Sequence, residues 1–286
     1  MQTRKYNNGR KDRFDRREDR FDRREDRRDD RREMPTEDEE DECRLEGRNA
    51  VQEALRSGRT IDKVFVASGE VDHGLQRLAQ QAKEAGAVVV SVDRRKLDTM
   101  SVTHAHQGII AMAAAREYST IDDMLAYAAE KGEAALIVLC DELSDPHNLG
   151  AILRSAECAG AHGVIIPKRR SVGLSAVVAK ASAGAIEFMK VARVTNLAAA
   201  MEELKEKGVW IYGTAAEGSI PMYQADLRGP AAIVIGSEGD GMSRLVREKC
   251  DVTVHIPMKG RISSLNASAA ASILLYEAVR QRETEA

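Results

Sequence analysis

The segment ALIVLCDELSDPHNLGAILRSAECAGAHGVIIP (135–167) joins two apolar runs through a stretch with helical periodicity. The runs ALIVLCD (135–141) and HGVIIP (162–167) are almost continuously apolar, which is typical of strands buried on both faces of a parallel sheet. Between them, apolar residues recur at the spacing of an amphipathic helix. These residues are Leu149, Ile152, Leu153 and Ala156. The order of strand, helix and strand predicts a parallel βαβ unit.

The same alternation continues downstream of this unit. Three more apolar runs are VWIYGTA (209–215), AAIVIGS (231–237) and VTVHIP (252–257). Segments of helical composition are 149–159, 174–183, 196–207, 241–249 and 264–282. Buried strands that alternate with helices predict a doubly wound α/β domain with a parallel sheet. Ligands bind such sheets at the carboxyl ends of the strands, so the polar residues that follow the strands are candidate site residues.

Upstream of residue 134 the chain has a smaller α/β unit and a charged tail. A short helix is predicted over 45–55 and a second over 73–85, with strands over 61–68, 87–93 and 107–114. We therefore expect a small domain at 43–115, a linker of weak helical character at 116–133 and the large domain at 134–286. The tail, 1–42, repeats DRFDRRE at 12–18 and 19–25. One apolar residue per repeat is too few for a coiled coil, so we expect disorder. Its role as an RNA-attracting arm or a solubilising segment stays open.

The composition of the chain limits the classes of protein to which it can belong. The formal net charge of −3 neither requires nor excludes a polyanionic partner. Four cysteines without a CxxC pair argue against a zinc site or a disulfide framework, and we predict no metal. No apolar run approaches the ~18 residues that span a bilayer, and the N-terminus is charged. We expect a cytoplasmic protein without a membrane partner.

Three strand-to-loop junctions carry polar residues that the sheet does not need. At the first, a polar loop runs to Asn148, and Arg154 projects away from the apolar stripe of the following helix, where it could meet a ligand or only solvent. The second, AAIVIGSEGDGMS (231–243), places Glu238 and Asp240 among three glycines. This order differs from G-x-G-x-x-G, and the acidic residues would repel a pyrophosphate, which disfavours a nicotinamide-dependent dehydrogenase. Backbone groups beside a carboxylate suit a cationic nucleoside such as S-adenosylmethionine, although a tight turn would need the same glycines.

The third junction follows the strand VTVHIP (252–257). Lys259 and Arg261 in its loop are suited to a phosphate backbone. Ser263 or Ser264 is a natural N-cap for the last helix. Asn266 is then predicted in the first helical turn, with its amide available for hydrogen bonding.

Together, NLGAILRSAECAG (148–160), IVIGSEGDGMS (233–243) and IPMKGRISSLNASAA (256–270) resemble the three ordered motifs of the SpoU (TrmH) family of RNA ribose 2′-O-methyltransferases, in the SPOUT superfamily. The small domain, with LEGRNAVQEAL (45–55) and HQGIIAM (106–112), resembles the substrate-binding domain of bacterial enzymes that methylate a guanosine of 23S ribosomal RNA. The likeness covers nearly all of the chain except the tail.

The resemblance implies a trefoil-knotted parallel sheet, S-adenosylmethionine bound among the knot loops, a homodimer and an RNA substrate, with 23S rRNA expected. It implies cofactor contacts at Thr214, Gly236, Ile256 and Leu265. It implies a catalytic set of Asn148, Arg154, Glu238, Ser264 and Asn266. A guanidinium has a pKa above ~12, so we interpret Arg154, acting from either protomer, as a stabiliser of the developing alkoxide or a phosphate and not as a base.

Other functions stay open at this stage. The target could be transfer RNA, or the ribosomal site whose methylation confers thiostrepton resistance. A non-catalytic RNA-binding or ribosome-assembly protein could retain the fold, although the intact candidate catalytic set argues against it.

Overall fold

The computed structural model describes residues 43–69, 72–216 and 218–283, so the predicted tail at 1–42 lies outside the described residues. The strands are β1 Arg44–Glu46, β2 Ile61–Ala67, β3 Val88–Val92, β4 Ile109–Ala113, β5 Leu136–Cys140, β6 Gly163–Pro167, β7 Val191–Val194, β8 Trp210–Thr214, β9 Ile220–Pro221, β10 Ala231–Ile235 and β11 Val252–His255. The helices are α1 Arg48–Arg56, α2 His73–Glu84, α3 Arg94–Met100, α4 Ile121–Lys131, α5 Pro146–Cys158, α6 Ala176–Ala181, α7 Leu197–Glu206, α8 Arg244–Glu248 and α9 Ala267–Glu283.

The first four strands form a small sheet in the order β1-β4-β2-β3. Strands β2 and β3 are parallel, whereas β4 runs antiparallel to both β1 and β2. Buried apolar residues of α1 and α2, including Val51 and Leu78, share one core with this sheet. The helix expected over 45–55 starts three residues late, because β1 first pairs with β4. Gly47, at a φ of 88°, makes the turn between them.

The remaining seven strands form one parallel sheet in the order β7-β6-β5-β10-β8-β11-β9. The five strands expected from the apolar runs are all present, which confirms the parallel α/β architecture. Two short strands were not expected. One, β7, has four residues and includes Arg193, and the other, β9, has two, so neither carries an apolar run. This strand order brings the carboxyl ends of β5, β10, β8 and β11 side by side.

The linker region contains a well-formed helix, α4. Thr120 and Asp123 form a reciprocal capping box at its start, and Gly132, at a φ of 67°, ends it. Ile121 and Met124 are buried in a core cluster of the large sheet. Its helical pattern is short, which is why composition alone indicated only weak helical character.

A buried polar contact joins the small sheet to the large one. The Asp62 carboxylate, at the start of β2, accepts from Arg193 Nη1 at 2.7 Å and from the Tyr118 hydroxyl at 2.9 Å. The side chains of Asp62 and Arg193 are only 11% and 7% exposed, so the pair is desolvated. Across the described ranges, no helix is both long and apolar enough to cross a membrane.

Candidate active site

Loops that follow β8, β10 and β11 enclose a cavity of about 1280 Å³. The glycine-containing loop 236–242 forms one wall, and the loop 256–266 forms another. Both follow parallel strands, where an α/β sheet is expected to bind ligands. The second and third junctions indicated by the sequence therefore meet at one site, and the first junction lies against them.

Asn148, Glu238 and Asn266 form a closed hydrogen-bonded cluster, which we call the amide–carboxylate cluster. Asn148 Nδ2 donates to Glu238 Oε1 at 2.6 Å. Asn266 Nδ2 donates both to Asn148 Oδ1 and to Glu238 Oε1, each at 2.8 Å. Hydrogen bonds to a charged acceptor are stronger than neutral ones, so Glu238 orients both amides. The structure thus brings together three of the five residues that the resemblance implied as catalytic.

The N-cap of α9 is Asn266, so the expectation of Ser263 or Ser264 was wrong. Asn266 Oδ1 accepts from the backbone nitrogens of Ser268 at 2.9 Å and Ala269 at 3.3 Å. Both serines lie in the loop, since α9 begins only at Ala267. The oxygen of Asn266 therefore caps the helix while its nitrogen joins the amide–carboxylate cluster.

Asn148 also differs from its predicted setting, because it lies in the first turn of α5 and not in the preceding loop. Asp145 caps this helix by accepting from the His147 nitrogen at 2.9 Å, and Pro146 occupies the first turn. Asn148 is only 4% exposed. A buried amide on a rigid helix holds a defined orientation, which suits a positioning role.

The loop 236–242 is tightly closed on itself. The backbone nitrogens and oxygens of Ser237 and Gly241 exchange hydrogen bonds at 2.9 and 3.2 Å. A Cβ on Gly236 would lie 2.3 Å from the Gly241 carbonyl carbon, so only glycine fits there. The buried Asp141 accepts from the Ser243 nitrogen at 2.6 Å and ties this loop to the end of β5. Sequence reasoning missed Asp141, although a carboxylate directly after a buried strand was a usable signal.

All four residues expected to contact the cofactor line the cavity, namely Thr214, Gly236, Ile256 and Leu265. Ile256 and Leu265 supply apolar surface, whereas the Thr214 hydroxyl donates to the Val234 carbonyl at 3.0 Å. Ser264 also lines the cavity but is exposed and does not contact the amide–carboxylate cluster. Its placement in the wall leaves it available to a ligand.

Arg154 is the one expected catalytic residue that the structure places apart. It is exposed on α5 and does not line the cavity. Its side chain has no hydrogen-bond or ion-pair partner among the residues that the structure describes. Arg154 therefore does not reach the amide–carboxylate cluster within one chain.

The thiols near the site are poorly suited to nucleophilic chemistry. Burial raises the pKa of Cys140, at the end of β5, to about 12. Burial also raises the pKa of Cys250, which packs beneath Gly213 of β8, to about 11. Both thiols are neutral at physiological pH and lack the nucleophilic thiolate form.

Known protein families and individual proteins resemble this chain in sequence. The model of the SpoU rRNA Methylase family matches residues 135–276, and that of the RNA 2′-O ribose methyltransferase substrate-binding domain matches 44–119. YacO of Bacillus subtilis is 51% identical over 236 residues, which cover 82% of this chain and 94% of YacO. A relative from Staphylococcus aureus (strain MSSA476) is 46% identical over 236 residues, with 82% and 95% covered. Their names place both in the TrmH family of tRNA/rRNA methyltransferases.

Among solved structures, the SpoU methyltransferase AviRb from Streptomyces viridochromogenes, in complex with the cofactor AdoMet, is similar to this chain. The two are 26% identical with a TM-score of 0.54, over 84% of this chain and 90% of AviRb. The assignment to a family rests on the 51% identity to YacO, which extends over 94% of YacO. This chain belongs to the SpoU (TrmH) family of RNA methyltransferases.

Proposed function

We propose that this protein transfers the methyl group of S-adenosylmethionine to a ribose 2′-oxygen of RNA, and that a guanosine of 23S rRNA is its target. The observation that carries this proposal is the amide–carboxylate cluster at the wall of the cavity. Its three members come from three separate strand-to-loop junctions. The packing of the sheet does not require these polar side chains to meet.

The cavity fits the cofactor by its chemistry. Its walls combine apolar side chains such as Ile256 and Leu265, the close-packed backbone at Gly236 and the carboxylates of Glu238 and Asp240. Apolar walls suit a nucleoside, exposed backbone groups can bond a base edge, and carboxylates favour a cationic sulfur. The AdoMet complex of AviRb supports the same cofactor for this chain.

When bound, S-adenosylmethionine supplies a methyl group on a positively charged sulfur. The protein must then align a ribose hydroxyl with that methyl group, leave a path for the hydroxyl proton to pass to water, and disperse the negative charge that develops on the oxygen as this proton leaves. Glu238 accepts hydrogen bonds from the amides of Asn148 and Asn266 and so fixes their orientation, and these amides and Ser264 can position the ribose. Arg154 would stabilise the developing alkoxide or the adjacent phosphate.

Arg154 can do this only if a second protomer contributes it. Within one chain it lies outside the cavity, on α5, which packs against α9, where Tyr276 is 51% exposed. We propose a homodimer in which this surface places Arg154 at the partner's cavity. The knot implied by the resemblance stays a prediction. So does the division into an RNA-binding domain at 43–115, a linker at 116–133 and a methyltransferase domain at 134–286.

Methyl transfer from labelled S-adenosylmethionine to separated rRNA and tRNA from a deletion strain tests this proposal. We expect label in 23S rRNA, released as a 2′-O-methylated nucleoside. Label in tRNA would move the target to the other class named for the relatives. Label on a base would contradict ribose methylation, and absence of both binding and transfer would favour the non-catalytic alternative. A chain without residues 1–42, assayed in parallel, measures what the charged tail contributes.

A further inference from the structure

A second concave site lies in the small domain, at the carboxyl ends of the parallel strands β2 and β3. This notch has a volume of about 500 Å³ and is lined by Arg48, Gly69, Asp72, Arg94 and Gln107, among others. Its volume lies within the range of ligand pockets. Among the described residues that line it, three side chains are charged, namely Arg48, Asp72 and Arg94, and their net charge of +1 favours an anionic ligand.

The Arg48 side chain is held in place by Asp72 and Gln107 before any ligand binds. The Arg48 guanidinium pairs with the Asp72 carboxylate and donates from Nε to the Gln107 carbonyl at 3.3 Å. The Arg48 backbone nitrogen donates to Gln107 Oε1 at 3.2 Å. The Arg48 guanidinium, with its side chain 41% exposed, is therefore a planar surface held in place. Arginine planes of this kind stack with nucleic-acid bases.

The loop that carries Gln107 is clamped at both ends. Glu46 accepts from the Ser101 hydroxyl at 2.6 Å, from the Val102 nitrogen at 2.8 Å and from Thr103. Burial acts to raise the pKa of Glu46, but these hydrogen bonds outweigh it and hold the pKa at about 2. The buried His106 accepts from the Gly108 nitrogen at 3.0 Å and pairs with Asp98 at 2.9 Å. Such clamping fixes the loop in one conformation.

The clamped loop holds two residues in unfavourable backbone conformations. His104 and Gln107 have φ angles of 55° and 50°, a region that side chains other than glycine rarely adopt. Strain of this kind costs energy and persists where the surrounding structure imposes it, often at ligand sites. In this backbone conformation the Gln107 side chain lines the notch. Its Nε2 is not hydrogen-bonded to any described residue.

Arg94 also lines the notch and adds a positive charge to it. It is exposed, follows β3, and has no side-chain partner among the described residues. We propose that the notch binds one unpaired nucleotide of the RNA substrate, with its base against Arg48 and bonded by Gln107, and its phosphate paired with Arg94. This inference rests on the proposed function, because it assumes an RNA substrate. A base in a duplex is stacked and paired, so it could not lie against Arg48 and bond to Gln107 in this way.

The notch lies away from the contact between the small sheet and the large one. Asp62, which contacts the large domain through Arg193, lies five residues before Ala67 at the rim of the notch. At a rise of about 3.3 Å per residue, the notch lies roughly 16 Å from that contact.

Fluorescence anisotropy with the full-length protein tests the site, using a short labelled single-stranded RNA of mixed sequence and its blunt duplex. R94A should weaken single-strand binding about fivefold and lower the salt slope by about 0.7, as expected for one lost phosphate contact. Q107M, which keeps side-chain length and net charge, should weaken binding about threefold without changing the slope. R77A removes an exposed charge of α2 outside the notch and should match wild type.

Methyl transfer separates failure of this inference from failure of the proposed function. With the RNA substrate, R94A and Q107M should raise KM and leave kcat and cofactor affinity unchanged. If wild type methylates RNA but both variants behave as R77A does, the notch is not a nucleotide site. Equal weakening of single-strand and duplex binding would also overturn it. If wild type methylates no RNA, the proposed function fails first, whatever the anisotropy shows.

Discussion

Asn266 and Asn148 lie 118 residues apart in the chain, yet Asn266 Nδ2 donates to Asn148 Oδ1 at 2.8 Å while both amides share Glu238 Oε1. This contact joins the first turn of α5 to the N-cap of α9. Each amide has a defined donor and acceptor side as a result. Substitutions that reverse a single donor or acceptor therefore test the cluster without removing side-chain volume.

Asn148→Asp places a second carboxylate 2.6 Å from Glu238. Two carboxylates so close share one proton, so the pKa of the pair rises. We expect methyl transfer to be strongly reduced at about pH 8 and partly restored below about pH 6, where the pair holds that proton. A pH profile of kcat measures this. Asn196→Asp, at the N-cap of α7, is the matched control because aspartate also caps helices. A loss that does not vary with pH would contradict the shared-proton explanation.

Asn266→Asp and Asn266→Ala separate capping from chemistry. Aspartate keeps the oxygen that accepts from Ser268 and Ala269 but loses the donor to Asn148 and Glu238. We expect Asn266→Asp to keep the cap while methyl transfer is lost. Asn266→Ala should lose methyl transfer and also about 1 kcal/mol of stability. Thermal unfolding and methyl transfer, measured on the same samples, check this. The comparison is made below about pH 6, because the new carboxylate lies 2.8 Å from Glu238 and the pair must hold a proton there. Equal stability of the two variants at that pH would show that Asn266 contributes no cap.

Gly236→Ala should abolish cofactor binding without unfolding the protein. The added Cβ would lie 2.3 Å from the Gly241 carbonyl carbon and 2.4 Å from the Met242 nitrogen, so the cavity loop must move. Calorimetric titration with S-adenosylmethionine measures the loss. The control is Gly229→Ala, where the added Cβ meets nothing within 4 Å. Wild-type affinity in Gly236→Ala would show that this loop does not hold the cofactor.

Mixing two inactive variants tests the origin of Arg154. If Arg154 acts on the partner's cavity, Arg154→Ala and Glu238→Ala protomers should form heterodimers with one intact site. Random exchange should then restore about a quarter of wild-type activity. Each variant alone is the control. A mixture that stays inactive despite verified subunit exchange would place Arg154 and Glu238 in the same chain's site.

We expect the buried His162 to make the stability of the fold fall at acidic pH. Its Nδ1 accepts from the Leu136 nitrogen at 3.0 Å, which requires a neutral ring. Burial lowers the pKa of His162 below its ordinary value of 6.5, against the opposing effect of Glu133. The stabilisation is therefore complete above pH 6.5 and is lost as the pH falls toward the folded-state pKa.

Denaturant unfolding at several pH values measures this effect. His162→Asn offers an amide oxygen near the position of Nδ1 and does not titrate. We expect this variant to lose less stability between about pH 7 and pH 5 than wild type does. Identical pH slopes would rule out His162 as the source.

Local patterns predicted most elements because burial on both faces of a sheet leaves a visible apolar run. The strands missed, β1, β7 and β9, are short and take their pairing from neighbours. The start of α5 at Pro146 was missed because Asp145, Pro146 and His147 are as typical of a polar loop as of a capped first turn. The cap of α9 was misplaced for a related reason, since serine and asparagine cap equally well and only the path of the loop chooses between them.

The sequence by itself determined the alternation of strands and helices, the parallel sheet and the family, because these depend on residue periodicity and on motifs that are local in the chain. Only the tertiary structure decided which of the motif residues meet. The pairing of β10 with both β5 and β8 brings Glu238 to Asn148, and the loop after β11 returns Asn266 to both. It also left Arg154 outside the cavity of its own chain. Contacts across 28 to 118 residues depend on strand order and register, which no local pattern encodes.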